Sequence, residues 1–183
     1  IVRYADDFIV GFQHEADARR FLDMMRERLQ EFALSLHPEK TRLIEFGRLA
    51  AENRKRRGLG KPETFIFLGF IFICSKTRQG KFQIKRKTRR DRIAIKQELR
   101  RRMHQPIPEQ GKWLKQVVTG YFNYHAVPTN GPTLTAFLFH VTNLWRRTLR
   151  RRSQKDGTTW ERAARLANDW LPKPRILHPW PDV

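Results

Sequence analysis

Two adjacent acids near the start of the chain, Asp6 and Asp7, are the residues whose type and spacing point most directly to chemistry. They separate two runs of β-branched and aromatic residues, Ile1–Tyr4 and Phe8–Phe12, which predicts a β-hairpin with both carboxylates at its turn. Adjacent carboxylates repel each other, and a bound divalent cation removes that repulsion. Because carboxylate oxygens suit Mg²⁺ or Mn²⁺, the turn is a candidate metal site, while a polar hairpin turn is the simpler interpretation.

The stretches after the hairpin alternate between helical and strand-like patterns. Residues 13–33 carry apolar side chains at three- and four-residue spacing, which predicts an amphipathic helix that packs across the sheet. Residues 47–62 are basic and interrupted by glycine, and we expect them to form a mobile loop that touches phosphate. The further strands that we expect are 41–46, 63–73 with a bend at Gly69, and 81–84.

From about residue 87 onward, helical patterns are separated by proline and glycine. The expected fold class is therefore α+β, with antiparallel strands and a packed helix in residues 1–86, followed by an all-α part in residues 87–171. We expect residues 172–183 to form an extended tail that docks through Ile176 and Trp180. The predicted helices are 88–103, 109–125, 132–150 and a short one opened by a capping box of Thr158 with Glu161.

The chain has 38 Lys and Arg residues against 18 Asp and Glu, a formal net charge of +20. A balance this basic indicates polyanionic partners, with nucleic acid first and an anionic membrane surface second. We find no run of about 18 apolar residues and expect no transmembrane helix. The single cysteine, Cys74, excludes a disulfide framework and is compatible with a reducing cytoplasm, and the histidines show no zinc-site spacing with it.

Clusters of basic residues are the candidate contacts to nucleic acid. A run of charges is usually a solvated face, but in a chain this basic we weigh phosphate binding above that interpretation. The arginines near the end of the predicted 132–150 helix are also more numerous than the helix dipole requires. The candidates are Arg54, Lys55, Arg56, Arg57, Arg89, Arg90, Arg100, Arg101, Arg146, Arg147, Arg150, Arg151 and Arg152.

Several motifs, in one order along the chain, resemble a single family of proteins. Tyr-Ala-Asp-Asp at 4–7, between two strand-like runs, resembles the active-site hairpin of reverse transcriptases. Leu-His-Pro-Glu-Lys-Thr at 36–41 and Phe-Leu-Gly-Phe at 67–70 are similar to segments of the group II intron-encoded reverse transcriptase/maturase family. The segments that resemble the thumb, or X, domain of that family are 101–114, 121–128 and 144–154, and the tail resembles the end of members without an endonuclease.

The resemblance implies that residues 1–86 are the C-terminal part of a reverse transcriptase palm and that 87–171 are a thumb/X (maturase) domain. It also implies RNA-directed DNA polymerase activity and the splicing of a mobile group II intron. Asp6 and Asp7 would then be catalytic and would hold Mg²⁺ or Mn²⁺ together with a third aspartate on an earlier strand. Lys40 would lie near the phosphates of the incoming nucleotide. The implied partners are an RNA template/DNA primer duplex, group II intron RNA and dNTP.

The chain starts inside a strand, without the fingers and the first half of the palm that the resemblance implies. We therefore expect a fragment that is inactive in polymerisation alone, whose N-terminal half is supplied by another chain, cut off or lost. The expected location is the cytoplasm of a bacterium or the interior of an organelle, in association with RNA.

Two other interpretations stay open. One is a non-catalytic RNA-binding or splicing module derived from a maturase, and the other is a different palm-type nucleotidyl enzyme, such as a cyclase. A pure RNA binder has no reason to place two carboxylates at a turn where they repel phosphate. The basic helical part speaks against a cyclase.

Overall fold

The computed structural model describes residues 1–88, 95–152 and 157–180. Within these residues the chain forms helices and two small antiparallel sheets, so the predicted α+β class is confirmed. The elements in the first part are β1 Val2–Tyr4, β2 Asp7–Ile9, α1 Glu15–Gln30, α2 Ala50–Arg56, β3 Phe65–Phe67, β4 Phe70–Lys76 and β5 Phe82–Thr88. Those in the second part are α3 Ile95–Arg101, α4 Ile107–His125, α5 Gly131–Arg150 and α6 Trp160–Trp170.

The first part contains two separate sheets, β1–β2 and β3–β4–β5. The helix α1 has Ala18 as its buried residue, and its Phe21 ring lies 5.3 Å from the ring of Phe12. Small sheets of this kind gain their stability from packing against other elements, because isolated hairpins are marginal in water.

The prediction of a single bent strand at 63–73 is wrong, because this stretch is a hairpin of β3 and β4. Phe67 pairs with Phe70, so the turn between them is Leu68-Gly69, and both turn residues have positive φ, 48° and 73°. Two positive φ values are those of a type I′ turn, which matches the twist of paired strands. The Tyr124 hydroxyl donates to the Leu68 carbonyl at 2.9 Å and so holds this turn against α4.

Two further predictions for this part are wrong. Residues 41–46 form no strand, and the loop expected at 47–62 contains the helix α2. Alanine, glutamate, lysine and arginine in α2 are good helix formers, which outweighs the neighbouring glycines. Phe46 nevertheless packs on the sheet, because its ring meets that of Phe65 edge-on at 4.9 Å, and Phe65 stacks on Phe72 at 4.8 Å.

The second part has a hydrophobic core that α3, α4, α5 and α6 build together. Gln110 is fully buried in it and joins the elements, since its amide donates to carbonyls of the α3–α4 turn and accepts from Trp145 Nε1 at 2.8 Å. The core residues are Ile95, Leu99, Leu114, Val118, Phe122, Ala126, Leu134, Phe137, Val141, Leu144, Trp145, Leu149 and Leu171.

The helices α1, α4 and α5 begin and end within three residues of their predicted bounds, whereas two other helix predictions are wrong. The cap of α6 is Thr159, whose hydroxyl accepts from the backbone N–H of Arg162 at 3.4 Å, so the capping box predicted with Thr158 is one residue out of register. The predicted helix 88–103 is wrong at both of its described ends, because Thr88 belongs to β5, paired with Phe70, and α3 ends at Arg101; residues 89–94 lie outside the described ranges.

The tail docks through its backbone and through His178. The N–H groups of Leu177 and His178 donate to the carbonyl of Ala126, and His178 Nε2 lies 2.6 Å from the Asn123 carbonyl oxygen. The predicted anchoring by Trp180 is wrong, since Trp180 is 60% exposed, whereas Ile176 is 44% exposed and its Cδ1 lies 3.9 Å from a Cβ built on Gly131. The last carbonyl groups of a helix lack partners within it, and here the tail supplies them. These hydrogen bonds, more than contacts of apolar side chains, hold the tail on the end of α4.

A buried polar network joins the two parts, and we call it the β5–α4 joint (Thr88, His125, Thr129 and Asn130). The Asn130 side chain accepts from the Thr88 N–H at 3.2 Å and donates to the His125 carbonyl at 2.8 Å. The Thr129 hydroxyl accepts from the Arg86 N–H at 2.9 Å. Because Asn130 is 1% exposed, these bonds are protected from water, and they fix the end of β5 on the turn between α4 and α5.

Candidate active site and nucleic-acid interface

The acidic hairpin is built by a two-residue turn, Ala5-Asp6. The strands pair Val2 with Ile9, Arg3 with Phe8 and Tyr4 with Asp7, so Asp6 lies in the turn and Asp7 begins β2. Ala5 has a φ of 52°, a conformation that glycine adopts more readily than alanine. The Arg3 guanidinium donates to the Ala5 carbonyl at 2.9 Å and stabilises this turn.

Both carboxylates of the hairpin are exposed, and none of the hydrogen bonds or ion pairs among the described residues uses them. Carboxylate oxygens that are free of protein donors are the ligands that Mg²⁺ and Mn²⁺ accept, so Asp6 and Asp7 fit the predicted metal. Within the described ranges, no group of three or more His, Cys, Asp or Glu side chains could hold a metal ion. The hairpin therefore offers a pair of ligands.

Lys40 lies in a separate turn, after Pro38. Its N–H donates to the His37 carbonyl at 3.2 Å, and the next N–H, of Thr41, donates to the same oxygen at 2.9 Å. The Lys40 side chain is exposed. No hydrogen bond or ion pair in the described part of the chain joins Lys40 to the acids of the hairpin.

The candidate cations on α2 divide into two kinds. Arg54 is largely buried, donates to the Gly60 carbonyl at 3.2 Å and lies 3.7 Å from Glu63. Arg57 forms an ion pair with Glu45. These two arginines fold the segment onto itself, whereas Lys55 and Arg56 are exposed and are the members of this group that can meet a phosphate.

Four cations of the helical part line one cavity between α3 and α5. They are Lys96 and Arg100 from α3, and Arg147 and Arg151 from α5 and its C-terminal end. Arg150, the neighbour of Arg151, is exposed and does not line this cavity. Three separate sequence candidates are thus brought together with a lysine that the sequence analysis missed.

The signal that could have identified Lys96 is its spacing. Lys96 precedes Arg100 by four residues, as Arg147 precedes Arg151, and residues four apart share a helix face. Arg89 and Arg90, also predicted to bind nucleic acid, lie outside the described residues.

Three other arginines have partners within the protein. Arg101 lies 3.6 Å from Glu98 across one turn of α3. The Arg146 guanidinium lies 4.7 Å from the centre of the Trp160 ring, and Arg152 donates to the Gln105 carbonyl. These contacts stabilise the helical part, so the predicted cations of α5 do not form one uniform surface.

The comparisons with known proteins concern the first part of the chain. Residues 1–72 match the family model described as reverse transcriptase (RNA-dependent DNA polymerase). The matched segment carries Asp6, Asp7 and Lys40 and ends within β4. No curated protein and no solved structure matches this chain. Among the described helices, none combines the length and the apolar character needed to span a membrane.

Proposed function

We propose that this chain is part of an RNA-directed DNA polymerase of the kind encoded by group II introns, and that it also takes part in splicing the intron RNA. The observation that carries the proposal is the position of the Asp6-Asp7 hairpin within the segment similar to reverse transcriptases. The basic helical part, which follows that segment, suits a polyanionic partner.

In this proposal Asp6 and Asp7 would hold Mg²⁺ or Mn²⁺. When bound, the metal neutralises the phosphates of the nucleotide and lowers the pKa of the attacking hydroxyl. Asp6 and Asp7 contribute charge and position, because phosphoryl transfer depends on positioning and electrostatic stabilisation more than on covalent chemistry by the protein. Because the described residues hold no cluster of three or more metal-ligating side chains, we expect the 183-residue chain not to extend a primer alone.

Lys40 is proposed to meet the triphosphate of the incoming dNTP. Its exposed side chain is not committed to an ion pair among the described residues, which leaves its charge available for phosphate. The helical part is proposed to contact the RNA template/DNA primer duplex and the intron RNA through phosphates. Such contacts position a nucleic acid without reading its sequence.

The second candidate function is a non-catalytic RNA-binding module. The observation that favours it is that the described residues hold a pair of free carboxylates and no larger metal cluster. A site with fewer ligands binds Mg²⁺ weakly, since this ion keeps most of its water shell.

The test is the binding of Mn²⁺ to the 183-residue chain, followed by paramagnetic broadening of backbone NMR signals. We expect broadening centred on residues 4–8 that disappears in Asp6→Asn/Asp7→Asn. The matched control is Asp17→Asn, which removes an exposed acid from α1 and should leave the broadening unchanged.

Primer extension on an RNA template is the second measurement. We expect none from the chain alone, and metal-dependent extension when an N-terminal fingers and palm segment is added. Nucleic-acid binding without localised Mn²⁺ broadening would contradict the polymerase and favour the binding module.

A further inference from the structure

We propose that the cleft between α3 and α5 is a binding site for a backbone phosphate of RNA or DNA. This α3–α5 cleft is defined by the side chains of Lys96, Arg100, Met103, Leu144, Arg147, Thr148 and Arg151. It lies outside the segment that is similar to reverse transcriptases. The inference rests on the proposed function in one respect only, the identity of the nucleic acid that occupies the site.

The cleft consists of two adjoining hollows of different size. The smaller is about 20 Å³ and is lined by all four cations together with Leu144 and Thr148. The larger, of about 290 Å³, shares Arg100, Thr148 and Arg151 with it and is bounded also by Met103. The smaller space admits a group of roughly the size of a water molecule, such as one phosphate oxygen, and the larger one leaves room for the rest of the phosphodiester.

The four exposed cations of the cleft concentrate positive charge that attracts an anion. Lys96 and Arg100 are four residues apart on α3, and Arg147 and Arg151 have the same spacing at the end of α5. Like charges at this spacing repel each other and destabilise a helix. Here two such pairs face each other across one cavity, so their repulsion adds across the cleft as well as along each helix.

The protein does not neutralise this charge within the described ranges. No carboxylate among those residues lines the cleft or forms an ion pair with its cations. The nearby Glu98 is directed to Arg101 and Arg102 instead. Clustered cations without a carboxylate are the arrangement by which proteins bind phosphate.

The donors of the cleft recognise charge and not base identity. The Thr148 hydroxyl donates to the Leu144 carbonyl at 2.9 Å, so it is already used by its own helix. Leu144 and Met103 contribute apolar walls. Arginine reads a guanine edge when it projects into the major groove of a duplex, whereas the cations of this cleft line a hollow in the protein surface, which suits a phosphate oxygen better than a base edge. We therefore assign sequence-independent binding to this cleft.

The test compares two variants that lose the same charge. Arg147→Gln/Arg151→Gln removes two cations of the cleft, and the control Arg20→Gln/Arg175→Gln removes two exposed arginines that lie outside it and are not among the candidate nucleic-acid contacts. Affinity for an RNA–DNA hybrid and for a single strand of equal length is measured by fluorescence anisotropy over a salt series in EDTA. The cleft variant should bind at least about ten-fold more weakly and lower the salt slope by about one, since one phosphate contact contributes about 0.9.

The opposite wall of the cleft provides an independent variant. Lys96→Gln/Arg100→Gln should reproduce the loss, and circular dichroism establishes that each variant is folded. Equal losses in the cleft and control variants would overturn the proposal, because they would show a diffuse effect of net charge.

Inorganic phosphate distinguishes the source of the anion. The melting temperature of the wild-type chain is compared in phosphate and in chloride of equal ionic strength. Weaker nucleic-acid binding by both cleft variants, with no phosphate effect on melting, supports a backbone site. A phosphate-dependent rise in melting temperature that the cleft variants abolish, with unchanged nucleic-acid affinity, would overturn it in favour of a free phosphoanion. EDTA removes metal ions, so nucleic-acid binding measured in it does not depend on metal binding by Asp6 and Asp7. Likewise, loss of phosphate binding in the cleft would leave Mn²⁺ binding at the hairpin unchanged.

Discussion

The two parts of this molecule differ in where their apolar side chains lie. In the helical part, Leu114, Val118, Leu134 and Val141 have no exposed surface and belong to one core. In residues 1–88 the fully buried apolar side chains are few, and the hairpin leaves Tyr4 64% exposed. The part that carries the candidate chemistry is therefore the part with less core of its own.

This difference indicates how stability and function are divided. A helical part with its own core supplies a rigid surface for the α3–α5 cleft, because packed interiors resist deformation. The acidic hairpin belongs to the less protected part, and active elements are commonly drawn from such regions. The β5–α4 joint connects the two parts through Thr88 and Asn130.

The largest effect is expected from a cavity in the helical core. Leu134→Ala should lower the free energy of unfolding by about 2–5 kcal/mol, because Leu134 is fully buried among core side chains. Phe8→Ala is the matched change in the hairpin, and since Phe8 is 41% exposed it should have a much smaller effect. Urea denaturation followed by circular dichroism measures both. Similar losses would mean that the two parts do not differ as described.

Two glycines of α4 should respond in opposite directions to alanine. A Cβ built on Gly111 lies 2.5 Å from Trp170 Cδ2, so Gly111→Ala pushes α4 and α6 apart and should cost about 1–3 kcal/mol. Gly120 has nothing within 4 Å of such a Cβ, and Gly120→Ala should stabilise the helix by about 0.5–1 kcal/mol. Thermal unfolding of both variants measures the contrast. An unchanged free energy of unfolding in Gly111→Ala would show that α4 and α6 can move apart without loss of stability.

The joint is tested by Asn130→Ala. This change leaves the Thr88 N–H without its partner in a buried place, which should cost about 1–3 kcal/mol. Hydrogen exchange should accelerate in β5 while the centre of α5 stays protected. Asn123→Ala, at an exposed position of α4, is the control and should change neither. Unchanged exchange in β5 would show that the joint does not couple the two parts.

The smallest effect concerns the first turn of α6. The pKa of Glu161 is lowered chiefly by a hydrogen bond with the Thr159 side chain, and next by a backbone hydrogen bond. Because the folded-state pKa is the lower one, this contribution to stability is present above the ordinary pKa and is lost as pH falls through the folded value. Thr159→Ala should raise the pKa of Glu161 in an NMR titration of its carboxyl carbon. An unchanged titration would exclude the hydrogen bond as the cause.

Burial raises the pKa of the Tyr121 hydroxyl above its ordinary value of 10.0, and a hydrogen bond with Thr88 opposes this shift. Tyr121 stacks on Phe137 at 3.6 Å between ring centres, so it belongs to the packing near the joint. It remains protonated at neutral pH, and its shift creates no pH dependence there.

Much of the fold was predictable because its signals are local. The strand-turn-strand pattern around Asp6 and Asp7 and the apolar periodicity of α4 and α5 depend on neighbours within a few residues. The Leu68-Gly69 turn was not predicted, since an apolar run with one glycine carries a weak turn signal and Tyr124 from a distant helix helps to hold it. The cap of α6 was misplaced by one residue because Thr158 and Thr159 are chemically equivalent as caps.

The sequence by itself determined the fold class, the acidic turn and the strong excess of positive charge, because residue type and short-range spacing decide these properties. Only the tertiary structure decided which cations remain available. Arg146 meets Trp160 and Arg152 meets Gln105, whereas Arg100 and Arg151 converge on one cleft. The physical reason is that an arginine's partner is chosen by distance in space, and those partners are brought together only when the helices pack.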